Sequence, residues 1–553
     1  MRRRLLLLLL TTLPFAACAD SGPEAADLVL TGGVVWTGVP LAAPAEALAV
    51  SDGRIVMVGS AADVARYMGP DTRVVELGGR LVTPGFIDDH AHFMSGGFQL
   101  ASVDLRDAAT PEEFARRIGA FVAGLEPGQW LTGGDWDHEL WEGSPLPQRA
   151  WIDSLTPDNP VFVNRLDGHM ALANTRALEL AGVTAGTPDP AGGLIVRDAA
   201  GAPAGVLKDE AMGLVYPHMP EPSEAERDAA FARAQEHALS VGVTLVQDMG
   251  GWADLATYRR AREAGELRMR VASYVPLATW ERLRAEVEAS GRGDAMLRWG
   301  GLKGFVDGSL GSTTAWFYEP YTDDPSTRGF TVSDTTELAR QIAAADAAGL
   351  QVVVHAIGDR ANDWLLETYA DVAARNGARD RRFRIEHAQH LTPAAIARFA
   401  ELGVLPSMQP YHAVDDGRWA GNRIGPERVQ GTYAFRSLLD AGAGLMFGSD
   451  WTVAPMDPLL GIHAAVTRAT IDGANPDGWV PEQKITVAEA LRAYTAANAY
   501  GAFMEAELGT LERGKLADLV VLSGNILEVA PDRIPDARVD LTVVGGRVVY
   551  ERM

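Results

Sequence analysis

Two histidines one residue apart close the stretch Thr83-Pro84-Gly85-Phe86-Ile87-Asp88-Asp89-His90-Ala91-His92. The apolar run from Gly85 to Ile87 reads as a strand, and in a strand residues i and i+2 share a face. His90 and His92 can therefore aim at one ion while Ala91 turns away. Imidazole suits zinc and related borderline metals, and a catalytic ion keeps a coordination position open for water. Two histidines that merely cap a strand would look the same, so further ligands must follow in corresponding places.

Candidates of the right type do follow. Lys303 lies in an apolar stretch from Gly301 to Val306, His355 ends Val-Val-Val-His, His387 ends Arg-Ile-Glu-His, and Asp450 ends Phe-Gly-Ser-Asp-Trp. Taken singly, a buried, hydrogen-bonded histidine or a helix-capping aspartate explains each of them. Taken together they argue for a metal centre, provided that the chain brings strand ends to one place.

The pattern of elements provides such a place. Strand candidates fall at 85–90, 244–247, 268–275, 301–306, 351–354, 383–385, 404–408 and 444–447, with helical stretches between them. Helix starts are marked by Thr110-Pro111, Ser223, Thr336, Thr392-Pro393 and Thr486, and Glu113, Glu226 and Glu489 complete a capping-box spacing. Alternating strands and helices in this number predict an α/β fold, a (β/α)8 TIM barrel, whose site gathers at the C-terminal ends of its strands. The barrel should span 83–504. The interval after strand one is too long for a single crossover, so about 100–222 reads as an inserted subdomain. Residues 27–82 and 505–553 are short β-rich pieces broken by glycine, which predicts a small β-sandwich assembled from both chain ends.

The amino terminus has its own logic. Arg2-Arg3-Arg4, then Leu5 to Leu10, then Leu13-Pro14-Phe15-Ala16-Ala17-Cys18 form a basic, then apolar, then small-residue sequence. This resembles a bacterial lipoprotein signal, although Phe15 departs from the usual leucine. It implies a signal peptide over 1–17, lipidation at Cys18, a tether over 18–26, and a lipid-anchored protein on the periplasmic side of the cell envelope, with Ala19 favouring the outer membrane. An ordinary secretory signal with an incidental cysteine is the alternative. Cys18 is the one cysteine, so no internal disulfide can form. With 49 basic and 73 acidic residues, and a formal charge of −24, nucleic acid is not an expected partner, and the membrane enters only through the anchor.

The strand-end set, together with Gly133-Gly134-Asp135-Trp136-Asp137, Asp167-Gly168-His169 and Lys303-Gly304-Phe305-Val306-Asp307-Gly308-Ser309, resembles the amidohydrolase superfamily and, more narrowly, amidohydrolase family 3, the group of YtcJ-like proteins and N-substituted formamide deformylase. The resemblance spans nearly the whole chain after the leader. It implies two divalent metal ions, with zinc the expected one. His90, His92 and Asp450 would hold the first, His355 and His387 the second, and Lys303, carboxylated because an ammonium has no lone pair to offer, would bridge them. It also implies hydrolysis of a carbon–nitrogen bond other than a peptide bond, in a small amide-type substrate, by a metal-bridging hydroxide, with Asp450 moving protons. His169 is the candidate oxyanion donor. Trp136, Trp141 and Trp451 could wall the substrate, Asp137 and Asp307 belong to the motifs above, Gln409, Tyr411 and His412 follow strand seven, and Arg423 could meet an acidic group. A mononuclear deaminase-like hydrolase, or an extracytoplasmic binding lipoprotein without turnover, are the competing readings. A homo-oligomer is compatible with all three.

Overall fold

A computed structural model describes residues 24–552; the leader and the Cys18 expectation lie outside them. The central sheet has eight parallel strands, here β1 (Phe86–Ala91), β2 (Val243–Met249), β3 (Arg270–Pro276), β4 (Leu297–Phe305), β5 (Gln351–Ala356), β6 (Arg384–His387), β7 (Leu405–Met408) and β8 (Met446–Phe447), each pairing with the next. Helices cover the outside, so the strands carry apolar residues on both faces, as parallel strands do. The expected barrel is present. Strand β4 starts earlier than its sequence pattern suggests because Gly300 is an extra residue: partners run from Ser273↔Trp299 directly to Tyr274↔Gly301.

Strand β8 has only two residues, so the seam where it meets β1 is held by other means. At the mouth, the Asp450 amide donates to the His90 carbonyl (2.7 Å) and the His92 amide to that of Trp451 (2.6 Å). At the floor, the Asn498 side chain, from the helix Ala496–Gly501, donates to the carbonyls of Ile87 (2.5 Å) and Phe447 (2.6 Å) and accepts from the Phe447 amide (3.3 Å). One amide thus replaces the ladder that a longer strand would have made.

The two chain ends build a pair of sheets around a shared core of Leu28, Leu30, Val35, Leu48, Val50, Leu519, Val521, Leu541 and others. One sheet is four-stranded; in the other, Leu519–Leu522 lies antiparallel to Leu81–Pro84, so the C-terminal strands are bound to the segment that leads into the barrel. Gly85 is the joint. A Cβ there would sit 2.3 Å from the Thr244 hydroxyl, so no larger residue fits between the sandwich and β1. The bidentate pair of Arg270 with Asp518 (2.7 and 2.8 Å), both buried, ties β3 to the same region.

The segment between β1 and β2 carries a five-stranded sheet, Leu131–Trp136, Val161–Arg165, Met170–Ala173, Gly193–Arg197 and Pro203–Asp209, with its own core. Ser223 and Thr486 form full capping boxes. Thr110 caps without the return bond, because the Glu113 carboxylate is taken by Arg116 and Arg117. The helix near Thr336 is capped instead by Asp334, two residues earlier. Among the described residues no helix is long and apolar enough to cross a membrane.

The seam supplies a test of the fold. Asn498→Ala, and the near-isosteric Asn498→Asp, which loses both N–H donors, should each destabilise the protein by at least about 2 kcal/mol, since two buried carbonyls lose their partners. Urea unfolding midpoints measure this, and a change below about 0.5 kcal/mol for both variants would contradict the role given to Asn498.

Candidate metal centre

The C-terminal ends of β1, β5 and β6 and the loop after β8 converge. Nε2 of His90 and of His92 lie 3.5 and 3.3 Å from Oδ1 of Asp450, Nδ1 of His387 is 3.9 Å from Oδ2, and Nζ of Lys303 is 3.2 Å from Nε2 of His90. The His355 ring centroid is 4.5 Å from that of His387, which is 4.9 Å from that of His90. The six residues singled out from the sequence are therefore neighbours. Within them, one ligand atom each from His90, His387 and Asp450 can be chosen so that all three lie within 4.8 Å of one another.

The surroundings favour cation binding. Burial, reinforced by the Lys303 charge, pushes His90 down to about 4, and burial takes His355 and His387 well below the usual imidazole range. Neutral imidazoles keep a lone pair for a metal. Burial opposes ionisation of Asp450, but the surrounding His90, His92 and His387 hold its carboxyl well below the ordinary value. Its buried Oδ1 lies 3.3 Å from Nε2 of His92 and 3.5 Å from that of His90 without a well-directed hydrogen bond among the described residues, a state that a cation would relieve. Burial also brings Lys303 down to about 8. A set of neutral imidazoles with one orphaned carboxylate oxygen fits a metal centre.

Further side chains orient the ligands. His90 Nδ1 meets Glu386 Oε2 at 2.5 Å, and Glu386 is held in turn by Arg384 (2.8 Å) and the Ser407 hydroxyl (2.7 Å). Burial alone would raise Glu386, yet the Arg384 guanidinium and the His90 contact keep it ionised. His387 Nδ1 meets Gln409 Oε1 at 2.7 Å. Each contact fixes a ring and its tautomer and leaves the opposite nitrogen for an ion. Asp88 holds the loop that carries Asp450, accepting from the Ser449 amide (3.0 Å) and hydroxyl (2.5 Å). Gly448 lets that loop lie against β1; a Cβ there would meet Asp89 Oδ1 at 2.4 Å and the His90 amide at 2.6 Å. His387 (φ 74°) and Asp450 (φ 55°) adopt the left-handed region without being glycine, the kind of strain that surrounding contacts must enforce at a functional position.

His169 reaches the centre from the insertion, its ring 5.0 Å from that of His355. Its Nδ1 is 2.6 Å from Oδ1 of Asp209, which ends the strand Pro203–Asp209. The substrate residues expected from the sequence fare differently. Trp136 and Trp141 are buried in the insertion's core, with their indole N–H groups given to the Val163 and Ala108 carbonyls. Trp451 packs on Phe93 and His237. Asp307 is fully buried and accepts the Trp316, Ile357 and Gly358 amides, bracing the turn after β5. Asp137 pairs with Arg165 and Arg418 (3.2 and 3.0 Å), and Arg423 with Glu139 (2.5 Å), so these charges lock the segment after β7 to the insertion. Gln409 serves His387. Tyr411 is half-buried on the helix Pro410–Asp416 and borders neither cavity beside the centre. His412 alone of these nine does border one. As substrate contacts the other eight are corrected: they border neither cavity, and most have their polar groups or rings already committed to the protein.

Those cavities meet at the centre. A small chamber of about 50 Å3, bordered by Arg165, Asp167, Asp415, Asp416 and His412, touches His355, His387 and Asp450. A cleft of about 810 Å3, walled by Phe98, Phe121, Trp130, Phe162, Tyr216 and Met219, touches His92. Both border Leu166, Asp167, His169 and Val453.

The model of the Amidohydrolase family matches residues 73–550. The chain belongs to the amidohydrolase family. It is 43% identical over 540 residues, 95% of this chain and 92% of the other, to Protein LONG AFTER FAR-RED 3 of Arabidopsis thaliana. It is 31% identical over 554 residues to N-substituted formamide deformylase of Arthrobacter pascens, covering 95% of this chain and 98% of that one. The crystal structure of an uncharacterized metal-dependent hydrolase from Pyrococcus horikoshii superposes with a TM-score of 0.74 at 30% identity, over 91% of this chain and 99% of that one. With the His/His/Asp cluster, these findings make this amidohydrolase a metal-dependent one.

Asp209 was not visible in the sequence pattern, and its role is measurable. Burial would lower His169, yet the Asp209 contact and charge raise it above the usual imidazole value. Asp209→Asn should therefore lower the His169 pKa by at least about one unit, read by NMR of 13C-labelled histidine. A raised folded-state pKa gives stability that is complete below the unfolded value and is lost as pH climbs through the folded one, so the variant's stability deficit should be largest on the acid side. An unchanged His169 titration would remove Asp209 from the site.

Proposed function

We propose that this amidohydrolase cleaves a non-peptide carbon–nitrogen bond of amide type in a small molecule, using two divalent ions, zinc by expectation. The orphaned, buried Oδ1 of Asp450 among four imidazoles is the observation that carries this reading. His90, His92 and Asp450 would hold one ion and His355 and His387 the other. Lys303, its amine made less basic by burial, would take up carbon dioxide, and the resulting carbamate would offer an oxygen to each ion. Bound ions supply Lewis acidity that acidifies water and polarises a carbonyl.

The chain's own groups provide the rest. Asp450, held ionised, accepts the proton of the attacking water and returns it to the departing amine nitrogen, so the carbon–nitrogen bond breaks as a carbon–oxygen bond forms. His169, oriented by Asp209, donates to the oxygen on which charge develops. The apolar cleft and the small polar chamber suit a substrate with one bulky, apolar arm and one short, polar arm, its scissile bond between them. The relative whose name describes an N-substituted formamide deformylase supports the choice of a carbon–nitrogen bond. The three-ligand cluster of His90, His387 and Asp450 favours one alternative, a single-ion site.

Asp450→Asn should fold normally and lose more than about 1,000-fold of kcat on any amide that the wild type turns over in a screen of N-formyl, N-acyl, cyclic amide and carbamate compounds. Metal analysis of the same wild-type preparation should find two ions per chain, whereas one ion supports the single-ion alternative. Retained function in Asp450→Asn would favour a binding protein over a hydrolase.

We also propose that the chain is lipidated at Cys18 and resides on the periplasmic side of a bacterial envelope, probed by Cys18→Ser. The variant should leave the membrane fraction and lose palmitate labelling, and a membrane-bound, unlabelled wild type would refute the anchor.

A further inference from the structure

At the opposite, N-terminal end of the barrel, a cavity of about 130 Å3 opens between the starts of β3, β4 and β5. The bulge in β4 makes it. Gly300, at φ +123°, could not carry a side chain, because a Cβ would lie 2.2 Å from Nη1 of Arg292, and a Cβ on Gly301 would lie 2.2 Å from the Tyr274 ring. Both glycines leave room for groups that border the cavity.

Four arginines border it, and their partners differ. Arg379 and Arg381 share the carboxylate of Asp346, at 3.0 and 3.1 Å, and Asp380, which also borders the cavity, is paired with Arg382 at 2.9 Å. Among the described residues Arg292 donates only to the carbonyls of Gly300 (3.2 Å) and Gly349 (2.7 Å), and Arg298 has neither ion pair nor side-chain hydrogen bond. Two guanidinium groups without a carboxylate thus face one small space. Burial, and their own proximity, hold Arg292 below its ordinary value.

The arginines set the charge of a ligand: two guanidinium groups without a carboxylate partner beside one cavity ask for an acceptor with negative charge. Arg presents a planar fork of donors that matches carboxylate and phosphate oxygens.

We propose that this cavity binds a small oxyanion, a carboxylate or a phosphate group, held by Arg292 and Arg298. The proposal does not rest on the hydrolase chemistry at the other end of the barrel. Thermal unfolding of the purified, metal-loaded protein in inorganic phosphate and, separately, in acetate, each against chloride at equal ionic strength and pH, tests it. A ligand that binds only the folded state raises Tm with its concentration. In the wild type at least one of the two anions should raise Tm by a few degrees, and which one does so identifies the group. Arg298→Met should abolish the rise, and Arg292→Met, the variant to read if the first fails to fold, should weaken it. An equal rise in wild type and both variants would place the anion elsewhere, such as at the metal centre. That outcome, or no rise over chloride in either anion, overturns the proposal.

Discussion

The seam between the first and last barrel strands is the constraint on which the site depends. Strand β8 has two residues, too few to close a sheet by its own ladder, so closure falls to Asn498 at the floor and to the amides of Asp450 and His92 at the mouth. The same two amides belong to proposed metal ligands. A barrel that failed to close there would separate Asp450 from His90 and His92 in one movement. Closing the fold and assembling the centre are, at this seam, one event.

That coupling explains the local oddities in the chain. Asp88, one turn of the pleat before His90, holds both backbone and hydroxyl of Ser449, and Gly448 removes the side chain that would keep the loop off β1. Asp450 can then occupy a left-handed conformation that costs about 1–3 kcal/mol in isolation. Glu386 performs the corresponding service for His90 from β6, and it remains a carboxylate in a fully buried position because Arg384 lies beside it. A buried acid without that guanidinium would take up a proton, and His90 would lose the acceptor that sets its tautomer.

The parts of this architecture that were legible in the sequence are those written in short-range patterns. The His-Ala-His spacing, the apolar runs that hold Lys303 or end near His355, His387 and Asp450, and the capping pairs of Ser223 and Thr486 each express a geometry within a few residues, and each recurs in the structure. What was not legible depends on contacts across the fold. Tryptophans near Gly133 and Gly134 suggested a substrate wall, but Trp136 and Trp141 fill the core of a sheet whose existence the sequence did not announce. Asp307, Asp137 and Arg423 sit in conspicuous motifs because they brace turns and lock segments, a structural reason for a conspicuous residue. Asp209 gave no signal, since a lone aspartate at a strand end is ordinary until a histidine from another strand meets it.

The corrected residues also redraw how the mouth of the barrel works. If Trp136 and Trp141 had lined the substrate space, the insertion would have been a collection of contacts; as a packed unit it is a wall whose position is set by ion pairs. Arg418 with Asp137 and Arg423 with Glu139 join it to the segment following β7. All four side chains are largely buried, so breaking either pair would strand a charge in a poorly solvated place. The chamber's own wall is tied by charge as well, Arg165 with Asp167 (2.7 Å), whereas much of the cleft's wall is aromatic and aliphatic. Selectivity for the short arm of a substrate would follow from a rigid electrostatic frame, and tolerance for the long arm from a hydrophobic surface that can repack around what enters it.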